Sequence, residues 1–271
     1  MRFAYRKELS TEPLARALAQ RGWMVTAVER PADALLDGSA DIVLTPALDY
    51  ARNVGVVDYA LVPGVGIVTS GFAGVLKLVF NRGLGGFATV AVKDTDASDA
   101  LIARILLSEK HDIDPKLLRA GARGLDEMLS IADAALLYGD DAVFDMSGNT
   151  SLLDLSDEWE DMTESPLPYM LAWGRVGEVD DELLAEMAAA RDMAVLMLPD
   201  LAATHEHSAQ ATAFYERYLK GSIRYTLEQA DLVGLDALFR YAFYYGVVSD
   251  VPAIKYLPEG EPADIPESPQ E

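Results

Sequence analysis

Five short apolar runs of this chain stop at small hydroxyl, glycine or acidic residues, and a helical pattern begins directly after four of them. In chain order the stops are Leu9–Pro13, Leu44–Ala47, Val68–Gly71, Asp94–Ser98 and Tyr138–Asp141. A further apolar run follows the third stop instead of a helix. Strand ends followed by helix starts gather unpaired backbone N–H groups at one edge of a sheet, where open α/β sheets bind ligands. The pattern therefore predicts an α/β fold and an anionic ligand.

The opening of the chain has the βαβαβ order of a parallel sheet. Its predicted strands and helices lie at Arg2–Tyr5, Glu12–Arg21, Val25–Val28, Leu35–Leu36 and Asp41–Leu44, and strands follow at Tyr59–Thr69 and Val75–Phe80. After a glycine-rich loop the pattern restarts, with elements at Thr89–Lys93, Ser98–Glu109, a strand ending near Leu118, Gly124–Ile131, Ala134–Tyr138 and Asp157–Thr163. The remaining predictions are a strand at Tyr169–Gly174 and helices at Asp180–Leu198, Ala202–Leu219 and Leu227–Tyr245.

These elements predict a two-lobed, periplasmic-binding-protein-like (type II) α/β clamshell with a helical C-terminal third. Residues 1–84 and 172–257 are expected to form lobe one, and residues 85–171 lobe two. In such folds the ligand lies between the lobes, and hinge closure removes it from water. The alternative is one continuous doubly wound sheet, which the glycine-rich loop Asn81–Phe87 and the helical third disfavour. Residues 258–271, rich in Pro and Glu, are predicted to be a disordered acidic tail.

The composition excludes several classes of function. A net charge of −22 argues against a nucleic-acid partner, because phosphate binding requires clustered Lys and Arg. Apolar stretches fall far short of the ~20 residues of a membrane span, and the N-terminus shows no signal-peptide pattern. We therefore expect no membrane partner and a cytoplasmic location, which the absence of cysteine fits. The acidic surface is consistent with a salty cytoplasm or with solubility through self-repulsion.

Hydroxyl residues are the candidate ligand contacts of the first lobe. Ser10 and Thr11 precede a helix, where each either caps the helix or contacts a ligand. Thr45 stands at the end of the third strand. Arg6 and Lys7 are the nearest cations, and they either bind a carboxylate or form a solvated loop pair.

Three further segments complete the predicted site. In Thr69-Ser70-Gly71 a hydroxyl pair before glycine lets the backbone approach a ligand closely, although a simple turn has the same composition. Thr95-Asp96-Ala97-Ser98 starts a helix whose positive end favours an anion, and Ser98 or Asp96 is otherwise its N-cap. Gly139-Asp140 ends a strand, where the carboxylate either orients a ligand hydroxyl or caps the next segment.

No metal or cofactor is predicted. His205 and His207 are two residues apart on a predicted helix, so their rings point away from each other, and a third ligand is not evident. A phosphate loop, a nucleophile elbow and a His-Glu-x-x-His motif are all absent. The aromatic run Tyr241–Tyr245 indicates helix packing or the interface of a homodimer.

Several segments resemble the chorismate dehydratases of the futalosine route to menaquinone. Where that family has Ser-Tyr-Leu-Asn-Thr-x-Pro-Leu, this chain has Lys7–Leu14. The other similar segments, in the same order as in the family, are Asp41–Tyr50, Val62–Ile67, Asp133–Asp140, Asp154–Trp159, Thr163–Pro168, Ala172–Trp173, Tyr218–Leu219, Ile223–Tyr225 and Gly234–Leu235. The likeness extends to about Val248, and its order makes chance unlikely.

The resemblance implies a cytosolic, two-lobed lyase that removes water from chorismate and gives 3-[(1-carboxyvinyl)oxy]benzoate without a cofactor. A substrate carboxylate is a candidate for the base. On this resemblance we take Ser10, Thr11 and Ser70 as the catalytic candidates. The substrate-binding candidates are Thr45, Thr69, Gly71, Thr95, Asp96, Ala97, Ser98, Gly139 and Asp140.

The chain departs from the family where the chemistry is expected. Ser10 stands in place of the family's asparagine and Glu8 in place of its tyrosine, and Ala73-Gly74 lacks the usual hydroxyl. A hydroxyl offers one donor on a shorter arm than an amide. Two alternatives therefore accompany the dehydratase: an enzyme for another small carboxylated ring, and a binding protein without catalysis. A third, an exported receptor for a transporter, is disfavoured because no signal peptide or lipidation cysteine is evident.

Overall fold

The protein is described by a computed structural model that covers residues 1–55, 57–81, 88–144, 150–204, 209–219 and 221–266. The strands are β1 (Arg2–Tyr5), β2 (Met24–Ala27), β3 (Ile42–Pro46), β4 (Tyr59–Thr69), β5 (Leu76–Asn81), β6 (Thr89–Val92), β7 (Lys116–Arg119), β8 (Ala134–Tyr138), β9 (Thr150–Asp154), β10 (Leu167–Arg175), β11 (Ile223–Arg224), β12 (Lys255–Tyr256) and β13 (Glu261–Pro262). The helices are α1 (Glu12–Gln20), α2 (Pro31–Leu36), α3 (Ala47–Asn53), α4 (Ser98–His111), α5 (Leu125–Ile131), α6 (Asp140–Phe144), α7 (Leu155–Thr163), α8 (Asp181–Thr204), α9 (Ala209–Leu219) and α10 (Asp231–Tyr244).

These elements form two compact units, each built on its own sheet. Unit 1 comprises residues 1–69 and those from 165 onward, and unit 2 comprises residues 70–164. Sheet 1, in unit 1, has the order β13-β12-β4-β10-β3-β1-β2, with β11 beside β4. Sheet 2, in unit 2, has the order β7-β6-β8-β5-β9.

The centre of sheet 1 is apolar on both faces. Every residue of β3 is buried, and so are eight of the nine residues of β10, as expected for strands that helices cover on both sides. β3 runs parallel to β1, while β10 runs antiparallel to both β3 and β4. Trp173 packs edge-on against Tyr59 and Tyr50, with ring centroids 4.9 and 5.6 Å apart. This core fixes where the ends of β1, β3 and β4 lie.

Sheet 2 likewise combines parallel strands with one reversed strand. β6 is parallel to β7 and β8, whereas β5 is antiparallel to β8 and β9. One face packs α5 through Met128 against Val79, Ala91 and Ala135, all of which are fully buried. The start of β5 therefore lies at the same edge as the ends of β6, β8 and β9.

The unit boundaries lie earlier than the lobe boundaries expected from the sequence. The chain crosses at 69/70 and 164/165, not at 84/85 and 171/172. The reason for the first difference is that β5 pairs with β8 and β9, so it belongs to unit 2. The second arises because β10 already pairs with β4 at Leu167. Residues 82–87 of the predicted glycine-rich loop lie outside the described part of the chain.

The predicted disordered tail is partly ordered. β13 pairs with β12, and β12 joins β4 at Leu61, which extends sheet 1 by two short strands. The prediction of disorder from residue 258 was therefore wrong for Glu261–Pro262, because backbone pairing and not apolar burial holds this segment. Residues 267–271 lie outside the described residues.

Candidate functional site

The sheet 1 edge, defined here as residues 6–11, Thr45–Pro46 and Thr69, carries the candidate residues of unit 1. β1, β3 and β4 share one direction, so their carboxyl ends meet at this edge. β10 starts at the same edge, since Leu167 pairs with Thr69 and Met170 with Pro46. The candidates Ser10, Thr11, Thr45 and Thr69 are all buried here.

The hydroxyls of Ser10 and Thr11 are committed to protein acceptors. Ser10 Oγ donates to Glu8 Oε2 at 3.0 Å. Thr11 Oγ1 donates to the carbonyl oxygens of Arg6 and Glu8, at 2.8 and 3.0 Å, and accepts from the Glu8 N–H at 3.1 Å. Thr11 is the N-cap residue of α1, but its side chain bonds the preceding loop and not a helix N–H. These hydroxyls thus shape the loop.

An ion pair between a partly buried arginine and a buried glutamate lies next to Ser10. The Arg6 guanidinium pairs through Nε with Glu8 Oε1, and its Nη2 donates to the Tyr169 hydroxyl at 2.9 Å. That hydroxyl in turn donates to Glu8 Oε2 at 3.4 Å. Tyr225 fixes the same loop by donating its hydroxyl proton to the Ser10 carbonyl at 2.8 Å. We call Arg6, Glu8, Ser10 and Tyr169 the Arg6 cluster.

Thr45 and Thr69 have structural partners. Thr45 Oγ1 accepts from Trp173 Nε1 at 2.8 Å, a bond that holds the central ring of the unit 1 core. Thr69 Oγ1 donates to the Leu167 carbonyl at 3.3 Å, across the β4–β10 pair. Both threonines are fully buried, so their hydroxyls satisfy polar groups of the core.

The sheet 2 edge, defined here as residues 70–75, 93–98, Gly139–Asp140 and Asp154, brings together the candidates of unit 2. Leu76 at the start of β5 pairs with Tyr138 at the end of β8, and Lys77 pairs with Asp154 at the end of β9. The segments before β5 and after β6, β8 and β9 therefore share this edge. Ser70 and Gly71 are half-buried at it.

Two carboxylates hold the backbone of residues 70–75. Gly71 N–H donates to Glu160 Oε2 and Gly74 N–H to Asp154 Oδ2, both at 2.6 Å. Both glycines have positive φ, 53° and 75°, a conformation that residues with a Cβ rarely adopt. The predicted close-approach turn at Ser70-Gly71 is thus a tethered glycine loop.

Asp154 is nearly fully buried and also caps a helix. Its Oδ1 accepts from the Ser156 N–H at 3.0 Å, at the start of α7. Burial raises the pKa of the Asp154 carboxyl above its ordinary value, while bonds from the N–H groups of Gly74, Ser156 and Asp157 and the nearby Lys77 ammonium oppose that rise. Lys77 Nζ donates to the Ala142 carbonyl.

The segment Thr95-Asp96-Ala97-Ser98 forms a turn before α4. Ala97 is the N-cap residue, so the alternative that Ser98 or Asp96 caps the helix was wrong. The turn is held by the Asp96 N–H, which donates to Asp94 Oδ1 at 3.2 Å, and by an ion pair between Asp94 and Arg119. Ser98 is buried, whereas Asp96 is exposed.

Gly139 directly follows β8 and is hydrogen-bonded to the segment that precedes β5. Its N–H donates to the Val75 carbonyl at 2.9 Å, and its carbonyl accepts from the Ala142 and Val143 N–H groups that open α6. Its φ of 57° lies in the left-handed region, which explains why a glycine occupies this position. Asp140 is the first residue of α6 and is half-buried.

The sequence reasoning missed the carboxylates that organise both edges. Glu8 appeared there only as a departure from a motif, and Asp154 and Glu160 were not singled out. An acidic residue between an apolar strand and a helix start, as at Asp154, was the available signal for a cap that also tethers a loop. Glu160 carries no such signal, because its partner Gly71 is 89 residues away.

Within the described residues, no group of three or more His, Cys, Asp or Glu side chains is arranged to hold a metal ion. His205 and His207 lie outside those residues. Among the described helices, none combines the length and the apolar character needed to cross a bilayer.

Three solved structures show the fold to which the two units belong. Protein AF1704 from Archaeoglobus fulgidus is similar with a TM-score of 0.67 at 16% identity, over 91% of this chain and 98% of that one. An ABC transporter protein from Parabacteroides distasonis gives 0.64 at 18% identity, over 98% of both chains. PhnD1 from Prochlorococcus marinus, in complex with methylphosphonate, gives 0.52 at 8% identity, over 92% and 98%. The predicted periplasmic-binding-protein-like α/β fold is thereby confirmed.

A search of curated proteins finds no match. A family model described as menaquinone biosynthesis matches residues 1–244, nearly the whole described chain. The matched residues include parts of both units and all of the segments on which the resemblance was based. The chain therefore belongs to the menaquinone biosynthesis family, whose members are enzymes.

Proposed function

We propose that the protein is a carbon–oxygen lyase that dehydrates chorismate to 3-[(1-carboxyvinyl)oxy]benzoate, without a cofactor, in menaquinone biosynthesis. The observation that carries the proposal is the family match over residues 1–244, together with the ordered segments that resemble chorismate dehydratases. PhnD1, with the same fold, binds the small anion methylphosphonate, which supports an anionic ligand. We keep the cytoplasmic location and the homodimer as parts of this proposal.

The reaction requires little of the protein beyond orienting the substrate. Loss of the ring hydroxyl and of a ring proton releases one water and makes the ring aromatic, so the product is strongly favoured. A substrate carboxylate can accept the proton, and the protein then has to hold the dianion and exclude water. The sequence analysis singled out no residue as a general base, which agrees with a substrate carboxylate acting as the base.

Each edge carries its own group of the proposed residues. At the sheet 1 edge we assign Ser10 and Thr11 to the reacting part of the substrate, with Thr45 behind them. At the sheet 2 edge we assign Ser70 a catalytic role beside the glycine loop. The remaining substrate-binding assignments at these edges are Thr69, Gly71, Thr95, Asp96, Ala97, Ser98, Gly139 and Asp140.

The test is turnover of chorismate by the purified protein. We expect new aromatic absorbance and a product lighter than chorismate by one water, detected by mass spectrometry. Ser70→Ala is expected to lower turnover at least tenfold, with an unchanged melting temperature as the control for folding. An active chorismate dehydratase, assayed in parallel, is the positive control. Absence of product while that control turns over would remove the dehydratase proposal.

A second candidate is a binding protein for a small carboxylated ring, without catalysis. It is favoured by one observation, that Ser10 Oγ–H is donated to Glu8 and Thr11 Oγ1–H to backbone carbonyls. Neither proton is then available to a leaving hydroxyl. This candidate predicts that chorismate raises the melting temperature and is recovered unchanged. Ser10→Asn separates the two, since an amide has two donors, and a gain of product would show that only this group is missing.

A further inference from the structure

β2 is an edge strand of sheet 1. It stands at the end of the strand order, and β1 is its one neighbour within the part of the chain that the structure describes. Met24, Thr26 and Ala27 are exposed, and Val25 is half-buried. Met24 keeps 66% of its surface in contact with solvent. An uncovered edge strand presents a row of backbone N–H and C=O groups to which another strand can pair.

The backbone groups that face away from β1 belong to Val25 and Ala27. The N–H groups of Met24 and Val28 both donate toward β1, the first of them to the Met1 carbonyl at 2.9 Å. Hydrogen-bonding direction alternates along a strand, so the N–H and C=O groups of the two residues between these positions point to the free side. Among the described residues, no strand pairs with β2 on that side. The free side therefore presents both donors and acceptors.

The composition of β2 differs from that of the other edge strands. β13 consists of Glu261 and Pro262, β7 contains Lys116 and Arg119, and β9 ends in Asp154. Charged residues and proline in an edge strand discourage pairing with another chain. β2 has the sequence Met-Val-Thr-Ala and contains neither. Of the edge strands that the structure describes, β2 is therefore the one best suited to edge-to-edge pairing.

The outward groups define how two copies of β2 would pair. When Thr26 lies opposite Thr26 of the second copy, Val25 of each copy lies opposite Ala27 of the other. In an antiparallel pair this register uses every outward N–H and C=O group of both strands. Met24 then lies opposite Val28, which adds an apolar cross-strand contact.

The charge of the chain favours this strand as the place where two copies meet. With a net charge of −22, two copies repel each other over most of their surface. β2 carries no charge, and in the register centred on Thr26 no charged residue within 22–30 lies opposite another charged residue. A two-fold arrangement of identical strands is also closed, so it ends at a dimer.

We propose that β2 is the interface of a homodimer, in which the β2 strands of two copies pair antiparallel across a two-fold axis at Thr26. The inference rests on the proposed function only for the homodimer, to which it gives a surface. Two copies of sheet 1 then form one continuous sheet. A pair of four-residue strands is small beside the ~1,200 Å² or more that stable interfaces bury, so the expected dissociation constant is about 10 to 100 μM.

The experiment is a charge exchange at the two-fold axis, followed by sedimentation of the full chain from about 1 to 500 μM. Thr26→Lys and Thr26→Glu each place like charges opposite each other, so each should raise the dissociation constant at least tenfold. An equimolar mixture of the two variants places a lysine opposite a glutamate and should dimerise at least as tightly as the wild type. Thr26→Lys also lowers the net negative charge of each copy, so general repulsion alone predicts the opposite result for that variant, a tighter dimer.

Two control variants test whether the effect is local to β2. Ser130→Lys changes the net charge by the same amount at an exposed position of α5, and it should leave the dissociation constant within about twofold. Tyr244→Ala removes a ring of α10 that is 76% exposed and belongs to the aromatic run considered as a dimer interface. It should leave the dimer unchanged as well. Circular dichroism and the melting temperature check that the variants fold, as expected for substitutions at exposed positions.

The outcomes separate the inference from the proposed function. A wild-type protein that stays monomeric at 500 μM, a Thr26→Lys dimer as tight as the wild type, or a mixture of the two Thr26 variants that does not dimerise would each overturn the inference. Loss of the dimer in Tyr244→Ala but not in Thr26→Lys would place the interface on α10 instead. Chorismate turnover reports on the function alone, so an active monomer would contradict the interface and keep the lyase, whereas a dimer without product would do the reverse.

Discussion

The sheet 1 edge and the sheet 2 edge both lie where strands end and helices begin, yet they present different chemical groups. At the sheet 1 edge the polar groups are side chains, gathered around the ion pair Arg6–Glu8. At the sheet 2 edge they are backbone N–H groups of a glycine loop, held by Asp154 and Glu160. In both cases a buried or half-buried carboxylate organises the edge, although the chain as a whole has a net charge of −22.

The difference teaches how each edge responds to substitution. A side chain at the sheet 1 edge can be replaced, so the chemistry there changes with one residue, as Ser10 and Glu8 show against the family motif. Backbone N–H groups at the sheet 2 edge survive most substitutions, and only loss of a tether redirects them. We therefore expect specificity to be set at the sheet 1 edge and loop geometry to be set by the tethers of the sheet 2 edge.

The largest expected effect is at the main tether. Asp154→Ala removes the α7 cap and leaves the buried Gly74 N–H without its acceptor, so the free energy of unfolding should fall by about 2 to 3 kcal/mol. Urea unfolding measures it. Asp126→Ala is the control, since Asp126 is an exposed acidic residue of the same unit and should change stability by less than about 0.5 kcal/mol. Equal stability of the two variants would show that Asp154 is not a tether.

The second-largest effect on stability is expected at the hydroxyl of Thr45, at the sheet 1 edge. Thr45→Val keeps the shape of the side chain but leaves Trp173 Nε1 without its buried acceptor, which should cost about 1 to 2 kcal/mol of unfolding free energy. Thr45→Ser keeps the acceptor and should lose less. Urea unfolding followed by tryptophan fluorescence measures both. If Thr45→Val were as stable as the wild type but bound substrate poorly, Thr45 would be a ligand contact and not a core residue.

The fold followed from sequence where local patterns decide it. Apolar runs placed β1, β4 and β8 within a residue or so of their observed bounds, because a buried strand must be continuously apolar. Helix starts were predicted after Leu44–Ala47 and Tyr138–Asp141, where α3 and α6 begin, but the bounds of these short helices and the pairing of β9 with β5 were not predicted. Helices of seven and five residues depend on tertiary packing and not on propensity, and β9 pairs with residues 69 to 77 positions earlier in the sequence.

The sequence predicted where strands end more than which groups meet there. It placed Ser70 and Gly71 in lobe one and Ser98 and Gly139 in lobe two, whereas the structure places all four at one edge of sheet 2. Strand-end rules cannot show which partner a hydroxyl chooses, since Ser10 bonds to Glu8 through a loop conformation that no spacing encodes. The ligand-binding roles of these residues stay predictions.

A smaller change in stability is expected from the titration of the Asp154 carboxyl at the sheet 2 edge. Burial raises its pKa above the unfolded value, so in the window between the two pKa values the native state binds more protons than the unfolded state. The associated stability is fully present below the unfolded value, about pH 4, and is lost as pH rises through the folded value. Relative to Asp154→Asn, the wild type should therefore lose stability as the pH rises above about 4. A difference in unfolding free energy between the wild type and Asp154→Asn that does not change with pH would contradict this prediction.

The smallest effect is expected at the second tether, where stability changes little and local opening changes more. Glu160→Gln keeps an acceptor for the Gly71 N–H but removes the charge that strengthens the bond, so the unfolding free energy should fall by about 0.5 kcal/mol. Exchange of the Gly71 amide with deuterium should accelerate about threefold, since loop opening is a local equilibrium. Glu164→Gln, in the same unit, is the control and should leave that amide unchanged. Exchange of Gly71 at the wild-type rate in Glu160→Gln would mean that Glu160 does not hold Gly71. Asp154 would then be the carboxylate that organises the sheet 2 edge, as Glu8 is at the sheet 1 edge.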